Sequence, residues 1–187
     1  LKHNFTADST GAPLLLNTTD ATPDIASIVG GTGITATSTS TYVTISADAL
    51  PHAQVHMQGN STATTIASAG TPVKVAGTFT VGIQSGFTGD TTGKIVYNGT
   101  TTRVVNVKAS ATVKPATQSS QDLFLQIAKN GTVIAGSKIV REVDTAQTAN
   151  LFTFFNISLA QNDFVEVFVG NATSTDNVVV SDIVIGL

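Results

Sequence analysis

The chain has 187 residues, a formal net charge of −3 and 11% charged residues, well below the roughly 25% of an ordinary soluble domain. Its Lys and Arg residues are scattered, no apolar run approaches the ~20 residues of a membrane span, and there is no Cys. Composition therefore argues against a nucleic-acid partner, membrane insertion, disulfides and thiolate metal sites. A surface so poor in charge must be made polar by Thr, Ser and Asn, which suits β structure and a protein engaged in assembly contacts.

The first 50 residues contain short apolar runs separated by Thr, Asp, Pro and Gly. This composition provides too little apolar surface for a core, so residues 1–50 are predicted to form an extended N-terminal arm. The arm would become ordered by lying on a neighbour or by winding with sister copies; the alternative is disorder. Its attachment residues are predicted to be Leu14, Leu15, Leu16, Ile25, Ile28 and Tyr42.

Pro51 marks the predicted boundary of a second domain, residues 51–187. Short β-rich segments follow at turn-bounded intervals, which is typical of a sandwich or barrel. Two Asn-Gly pairs, Asn98-Gly99 and Asn130-Gly131, predict hairpin turns of type I′, in which both central residues need positive φ. Before the C-terminal region, the predicted strands are residues 53–58, 64–67, 73–75, 78–83, 94–97, 103–113, 123–128, 132–135 and 138–143.

The strand predicted over residues 103–113 alternates between apolar and polar side chains. Such alternation predicts one buried and one wet face. The buried face would carry Val105, Val107, Ala109, Ala111 and Val113, and the wet face Asn106, Lys108, Ser110 and Thr112.

Three further strands are predicted over residues 151–159, 164–169 and 178–185. In the middle one, valines at 165, 167 and 169 oppose Phe164, Glu166 and Phe168, so both faces are largely apolar. Such a strand needs cover on both sides, and the simplest second cover is another copy of the chain. We therefore expect one sheet of the sandwich to be solvated and the other to face partners. A buried Glu166 would need a cation, such as Arg103, Lys94 or Arg141 of another copy; alternatively it lies at a wet edge.

No motif for catalysis is present: GxSxG, HExxH and a glycine-rich phosphate loop are all missing from the sequence. Asp163 is predicted to organise the turn before its strand, and Glu142 and Asp144 to lie at a solvated edge. We therefore predict no enzyme activity and no cofactor. A glycoside hydrolase with paired carboxylates remains the class to exclude.

From about residue 52, the order of features resembles a C1q/TNF-type jelly roll, on the stretches LFLQIAKNGTVI and ISLAQNDFVEVFV and a terminal apolar strand. The stretch MQGNSTATTIASAGTPVKVAGT resembles the start of C-terminal domains in tailed-phage structural proteins. In the arm, IVGGTGITATSTSTYVTIS is similar to segments that precede phage fibre head domains. The resemblance implies an all-β, antiparallel jelly-roll sandwich behind an extended arm, in a homotrimeric virion protein.

For a homotrimer, the predicted interface is Phe152, Phe154, Phe164, Phe168, Val178 and Val180. His52 and His56 would stand about 13 Å apart on one strand, too far to chelate one metal, but three copies of either could ring an ion on a threefold axis. The implied function is a capsid decoration or cement protein that contacts the major capsid protein or other virion proteins. The alternative is a head- or tail-fibre tip that binds a host-surface glycan or receptor through loops at residues 86–93, 115–121 and 173–177.

Overall fold

The computed structural model describes residues 34–38, 43–47, 50–117, 120–144 and 147–187. These residues fall into two units, divided after Leu50. In the first unit, strands β1 (Ile34–Ser38) and β2 (Val43–Ala47) pair antiparallel, with Ile34 opposite Ala47. The predicted arm residues Leu14, Leu15, Leu16, Ile25, Ile28 and Tyr42 lie outside the described residues.

The second unit begins at Pro51, and its described residues form strands and one short 3₁₀ helix, Ala135–Ser137. Its strands, in chain order, are β3 (His52–Met57), β4 (Ala63–Thr64), β5 (Val73–Lys74), β6 (Thr80–Ser85), β7 (Phe87–Gly89), β8 (Ile95–Tyr97), β9 (Arg103–Pro115), β10 (Gln121–Lys129), β11 (Thr132–Val133), β12 (Ile139–Val143), β13 (Ala149–Leu159), β14 (Phe164–Asn171) and β15 (Val178–Gly186).

These strands form two antiparallel sheets. The six-stranded sheet has the order β13-β9-β15-β3-β6, with β4 also paired to β15. The seven-stranded sheet has the order β11-β10-β14-β8-β7, with β12 also paired to β10 and β5 to β14. The predicted fold class, an antiparallel jelly-roll sandwich, is confirmed.

The core lies between the two sheets and is formed by alternate side chains along the strands. On β9, Val107, Ala109, Ala111 and Val113 are buried, as their spacing predicts. From the opposite sheet, β14 contributes three buried valines to the same cluster. Because side chains alternate along each strand, the odd-numbered residues of β9 define the core and the even-numbered ones define a surface.

The structure corrects which strands were expected in the solvated sheet and which in the partnered sheet. Strand β9, with its polar face, lies in the same sheet as β13 and β15, between these two strands. Strand β14, whose two apolar faces suggested a partner, is central in the other sheet. Sequence periodicity shows which residues share a face of one strand, but strand order is a long-range property of the fold.

One of the two predicted type I′ turns forms. Asn130 and Gly131 have φ of 51° and 75° and join β10 to β11. Asn98 and Gly99 do not have the two positive φ values that this turn requires. Their segment instead connects β8 of the seven-stranded sheet to β9 of the six-stranded sheet, so it crosses the sandwich and closes no hairpin.

Candidate functional site

The six side chains predicted to form one interface are distributed over three environments. Val178 and Val180 are fully buried in the core, so they have no surface to offer another copy. Their part of the prediction is therefore corrected. The remaining four, all Phe, lie on the outward faces of the two different sheets: Phe152 and Phe154 on β13, and Phe164 and Phe168 on β14.

On the seven-stranded sheet, residues of the same chain cover the outward side of β14. Glu166 is buried, and its Oε1 lies 2.6 Å from Lys74 Nζ on the adjacent strand β5. Lys74 also donates a hydrogen bond to Thr92 Oγ1 at 3.0 Å. The partner of Glu166 is thus Lys74, and neither of the predicted alternatives, a cation from another copy or a wet edge, applies.

The aromatic rings on this sheet are capped in a similar way. Lys94 Nζ lies 5.1 Å from the centroid of Phe164, and Lys138 Nζ lies 4.0 Å from that of Phe124, within cation–π range. The aliphatic stems of these lysines can cover apolar surface while the charge remains at the solvent. The outward face of the seven-stranded sheet therefore has less need of a second copy.

The six-stranded sheet exposes uncapped aromatic side chains. Phe152 and Phe154 are 54% and 60% exposed on β13, and their ring centroids are 6.1 Å apart. Val104 on β9 and Val184 on β15 are 71% and 45% exposed. We call Phe152, Phe154 and Val184 the apolar patch; Val104 lies opposite Ser158, four residues further along β13 from Phe154. An exposed apolar group of this kind marks a candidate interaction site.

Strand register places the apolar patch in cross-strand rows. Phe152 is opposite Ser110, Ser110 is opposite Val184, and Val184 is opposite His56. The rings therefore lie at the β13 edge of the sheet, with Ser110 of β9 opposite Phe152 and Lys108 of β9 opposite Phe154.

A depression of about 340 Å³ lies on this sheet at β3, β9 and β15. Within it, Asp182 Oδ1 accepts a hydrogen bond from the Gly59 N–H at 3.1 Å. His56 Nδ1 is buried and has no hydrogen-bond partner among the residues that the structure describes. A buried polar atom without a partner is unfavourable. The polar side chains of the depression are Gln54, His56, Gln58, Ser110, Thr112 and Asp182.

The histidines form no metal site within the described part of one chain. There, no group of three or more His, Cys, Asp or Glu side chains could hold a metal ion. His52 and His56 both lie on β3, with His52 exposed and His56 half-buried. An ion held by three copies of one histidine remains a prediction, because it requires a threefold assembly.

Asp163 organises its turn as predicted. Its Oδ2 accepts a hydrogen bond from the Ala160 N–H at 2.8 Å and lies 2.7 Å from Lys129 Nζ, and its Oδ1 accepts one from Asn130 Nδ2. The hydrogen bonds from Lys129, Asn130 and the Ala160 N–H, in that order, lower the pKa of Asp163 to about 2. The side chain therefore joins the turn after β10 to the turn after β13.

Asp144 and Glu142 are exposed, and Asp144 accepts a hydrogen bond from Ser120.

Two of the three predicted contact loops lie together. The Thr117 hydroxyl donates to Asp176 Oδ2 at 2.8 Å, and the Ala116 N–H donates to the Asn177 carbonyl at 2.8 Å. Asn171, which is fully buried, donates to Gln121 Oε1 and so anchors the two loops. The third loop, at residues 86–93, contacts other elements: the Phe79 N–H donates to the Thr91 carbonyl.

Comparison with known proteins gives likeness of fold only. No family model and no curated protein matches this sequence. Among solved structures, PRD1 vertex protein P5 is similar with a TM-score of 0.48 and 15% identity, over 98% of this chain and 97% of that chain. Eiger TNF from S. frugiperda has a TM-score of 0.45 and 14% identity, over 73% and 92%. Murine APRIL at pH 5.0 has a TM-score of 0.44 and 8% identity, over 72% and 97%.

In the part of the chain that the structure describes, no helix is long and apolar enough to cross a membrane.

Proposed function

We propose that this chain is a homotrimeric structural protein of a bacteriophage particle, a decoration or cement protein that stabilises the capsid from its surface. The observation that carries the proposal is the exposed pair Phe152 and Phe154, on a chain with only 11% charged residues. The proposal assigns the chain no catalytic role.

The two sheets differ in a way that favours self-association through the six-stranded one. Phe152 and Phe154 of its apolar patch are more than half exposed, whereas Lys94 and Lys138 of the same chain lie over the rings of Phe164 and Phe124 on the other sheet. Burying apolar area stabilises an interface by about 25 cal/mol per Å² before the costs of association. Aromatic residues, including Phe, are enriched in protein–protein interfaces relative to the rest of the surface.

The positions of the rings and of the depression on this face are compatible with a closed ring of copies. Phe152 and Phe154 lie on the edge strand β13, and the depression that contains His56 lies on β3, β9 and β15. If the rings of one copy pack into the depression of the next, the contact is heterologous, and such contacts form a ring when the rotation between copies closes. We infer three copies in the ring from the resemblance of the sequence to C1q/TNF-type jelly rolls. The ring would carry His52 and His56 on the strand facing the neighbour.

In this proposal, residues 1–50 attach the trimer to the major capsid protein or to a neighbouring virion protein. Hairpin β1–β2 is built from two five-residue strands rich in Thr and Ser. An isolated two-stranded hairpin is at best marginally stable in water, so it would gain stability from a partner. Adding interface area across the capsid surface would then resist internal pressure.

A fibre-tip adhesin is the second candidate function. The loops joined through Thr117–Asp176 and anchored by Asn171 form a fixed surface that could contact a host glycan or receptor. Binding of the isolated protein to host cells would favour this function, and binding to empty capsids would favour decoration.

The test of assembly is the molar mass in solution, measured by light scattering after size-exclusion chromatography. We expect the mass of three chains at micromolar concentration. The variant Phe154→Asp should shift this mass towards one chain. Val140→Asp is the matched control, because Val140 is an exposed apolar residue on β12 of the other sheet. A wild-type protein that stays monomeric would contradict the proposed trimer.

A further inference from the structure

Two identical Asn-Gly-Thr tripeptides, at residues 98–100 and 130–132, have different structural surroundings. The geometry points to Asn98 as a site of spontaneous deamidation, with the second tripeptide protected by the fold. This inference is independent of the proposed function. It assigns a modification site to the connection between the two sheets, and the second tripeptide serves as an internal control.

The reaction needs only the chain and water. The backbone nitrogen of Gly99 forms a bond to Asn98 Cγ, the bond from Cγ to the amide nitrogen breaks, and ammonia leaves with the Gly99 amide proton. Water then opens the resulting succinimide to aspartate or isoaspartate, so one negative charge is gained. A following glycine favours the ring closure because it has no Cβ to hinder the attacking nitrogen.

Asn130 is held in a position that opposes ring closure. Its Nδ2 donates to Asp163 Oδ1 at 2.7 Å, and its Oδ1 accepts from the Phe164 N–H at 2.8 Å. Both ends of the side-chain amide are therefore occupied. Rotation of Cγ towards the nitrogen of Gly131 would break both hydrogen bonds, one of which has a charged acceptor and is the stronger kind.

Asn98 is held at one end only. Its Nδ2 donates to Thr88 Oγ1 at 2.8 Å, and among the described residues its Oδ1 accepts no hydrogen bond. The side chain is exposed, so water can replace the contact with the Thr88 hydroxyl. Ring closure at Asn98 therefore breaks one neutral hydrogen bond, which contributes little net stability at an exposed position.

The product would change a tightly packed connection. Tyr97 is 1% exposed, and its hydroxyl donates to the Thr101 carbonyl at 2.8 Å. A Cβ at Gly99 would lie 2.2 Å from the Tyr97 hydroxyl oxygen, so the main chain passes directly over the ring. Isoaspartate lengthens the main chain by one methylene at this point. We therefore expect local loosening where the chain enters β9.

The test follows both sites during incubation of the folded full chain in mildly alkaline buffer. Peptide mapping by mass spectrometry, with separation of aspartate from isoaspartate, gives the rate at each site. We expect Asn98 to convert faster by on the order of tenfold, the effect of about one additional hydrogen bond. In urea, the two identical tripeptides should convert at similar rates. Equal rates in the folded chain, or faster conversion of Asn130, would overturn the proposal.

Two variants separate the hydrogen bonds from other effects of the fold. Asp163→Ala removes one contact of Asn130 and should raise its rate; the rate at Asn98 is followed in the same variant because the Tyr97 N–H donates to the Asp163 carbonyl. Thr88→Ala should raise only the rate at Asn98, and this exposed residue lies outside the core. If neither substitution changes its own site, the protection does not come from these hydrogen bonds and the proposal fails.

Discussion

Lys74 Nζ lies 2.6 Å from Glu166 Oε1, and this ion pair closes the outward side of the central strand β14 within one chain. The Lys74 side chain is 34% exposed, and that of Glu166 is 9% exposed. The two partners are therefore unequally solvated. The ion pair with Lys74 explains how the Glu166 carboxylate lies between Phe164 and Phe168 without a cation from a second copy.

The unequal exposure predicts unequal effects of removing each partner. Lys74→Met leaves a buried carboxylate without its cation, and we expect the free energy of unfolding to fall by about 1–3 kcal/mol. Glu166→Gln leaves a lysine that water can still reach, so it should cost less, below about 1 kcal/mol. Urea unfolding at fixed protein concentration compares them. A larger loss for Glu166→Gln would contradict this interpretation of the pair.

Aspartate substitutions on the two sheets should have different effects. Phe154→Asp introduces charge on the exposed patch and should weaken assembly by at least ~30-fold, as loss of a 2 kcal/mol hot spot does, while the fold persists. Phe168→Asp lies on β14 opposite Lys74 and should instead lower the free energy of unfolding. Light scattering reports assembly and circular dichroism reports folding. Intact assembly in Phe154→Asp would exclude the apolar patch as the interface.

Asp163 predicts a pH dependence at acid pH. Its pKa in the folded chain is about 2, below the value of 3.8 for a free side chain, and the hydrogen bond from Lys129 is the main cause. A lowered pKa means that its stabilisation is complete above about pH 4 and is lost as pH falls towards 2. The melting temperature of the wild type should therefore exceed that of Asp163→Asn at pH 5, and the difference should shrink towards pH 2. A difference that does not change with pH would contradict this assignment.

Two glycines near β10 should respond differently to substitution by alanine: Gly170 on the paired strand β14 and Gly131 in the turn between β10 and β11. A Cβ at Gly170 would lie 2.1 Å from Phe124 Cζ, and Phe124 is fully buried, so Gly170→Ala should cost about 1–3 kcal/mol through overpacking. A Cβ at Gly131 meets nothing within 4 Å, but its φ is 75°, so Gly131→Ala should cost about 1 kcal/mol through backbone strain. Thermal unfolding of both variants measures the costs. Equal stability of Gly170→Ala and the wild type would show that the Phe124 ring can move.

The sequence was sufficient to predict those features of the fold that depend on neighbouring residues. Alternation along β9 identified its buried face, because neighbouring side chains on a strand must point to opposite sides. The Asn130-Gly131 turn was predictable for a similar reason, since its backbone conformation depends on two adjacent residues. The same signal failed at Asn98-Gly99, where the segment must cross between the sheets. Strand β7 was not predicted, because Phe87 stands among glycines and a threonine and its ring is 5.1 Å from that of Tyr97, a contact that periodicity does not encode.

The amino-acid sequence by itself determined the β class, the faces of the long strands and the shortage of charge, because these follow from residue type and from a period of two. The tertiary structure decided which faces share a surface: it buried Val178 and Val180, paired Glu166 with Lys74 and left Phe152 and Phe154 exposed. These outcomes depend on strand order and on contacts between residues far apart in the chain. Free energies of packing select such contacts, and a local sequence pattern contains no record of them.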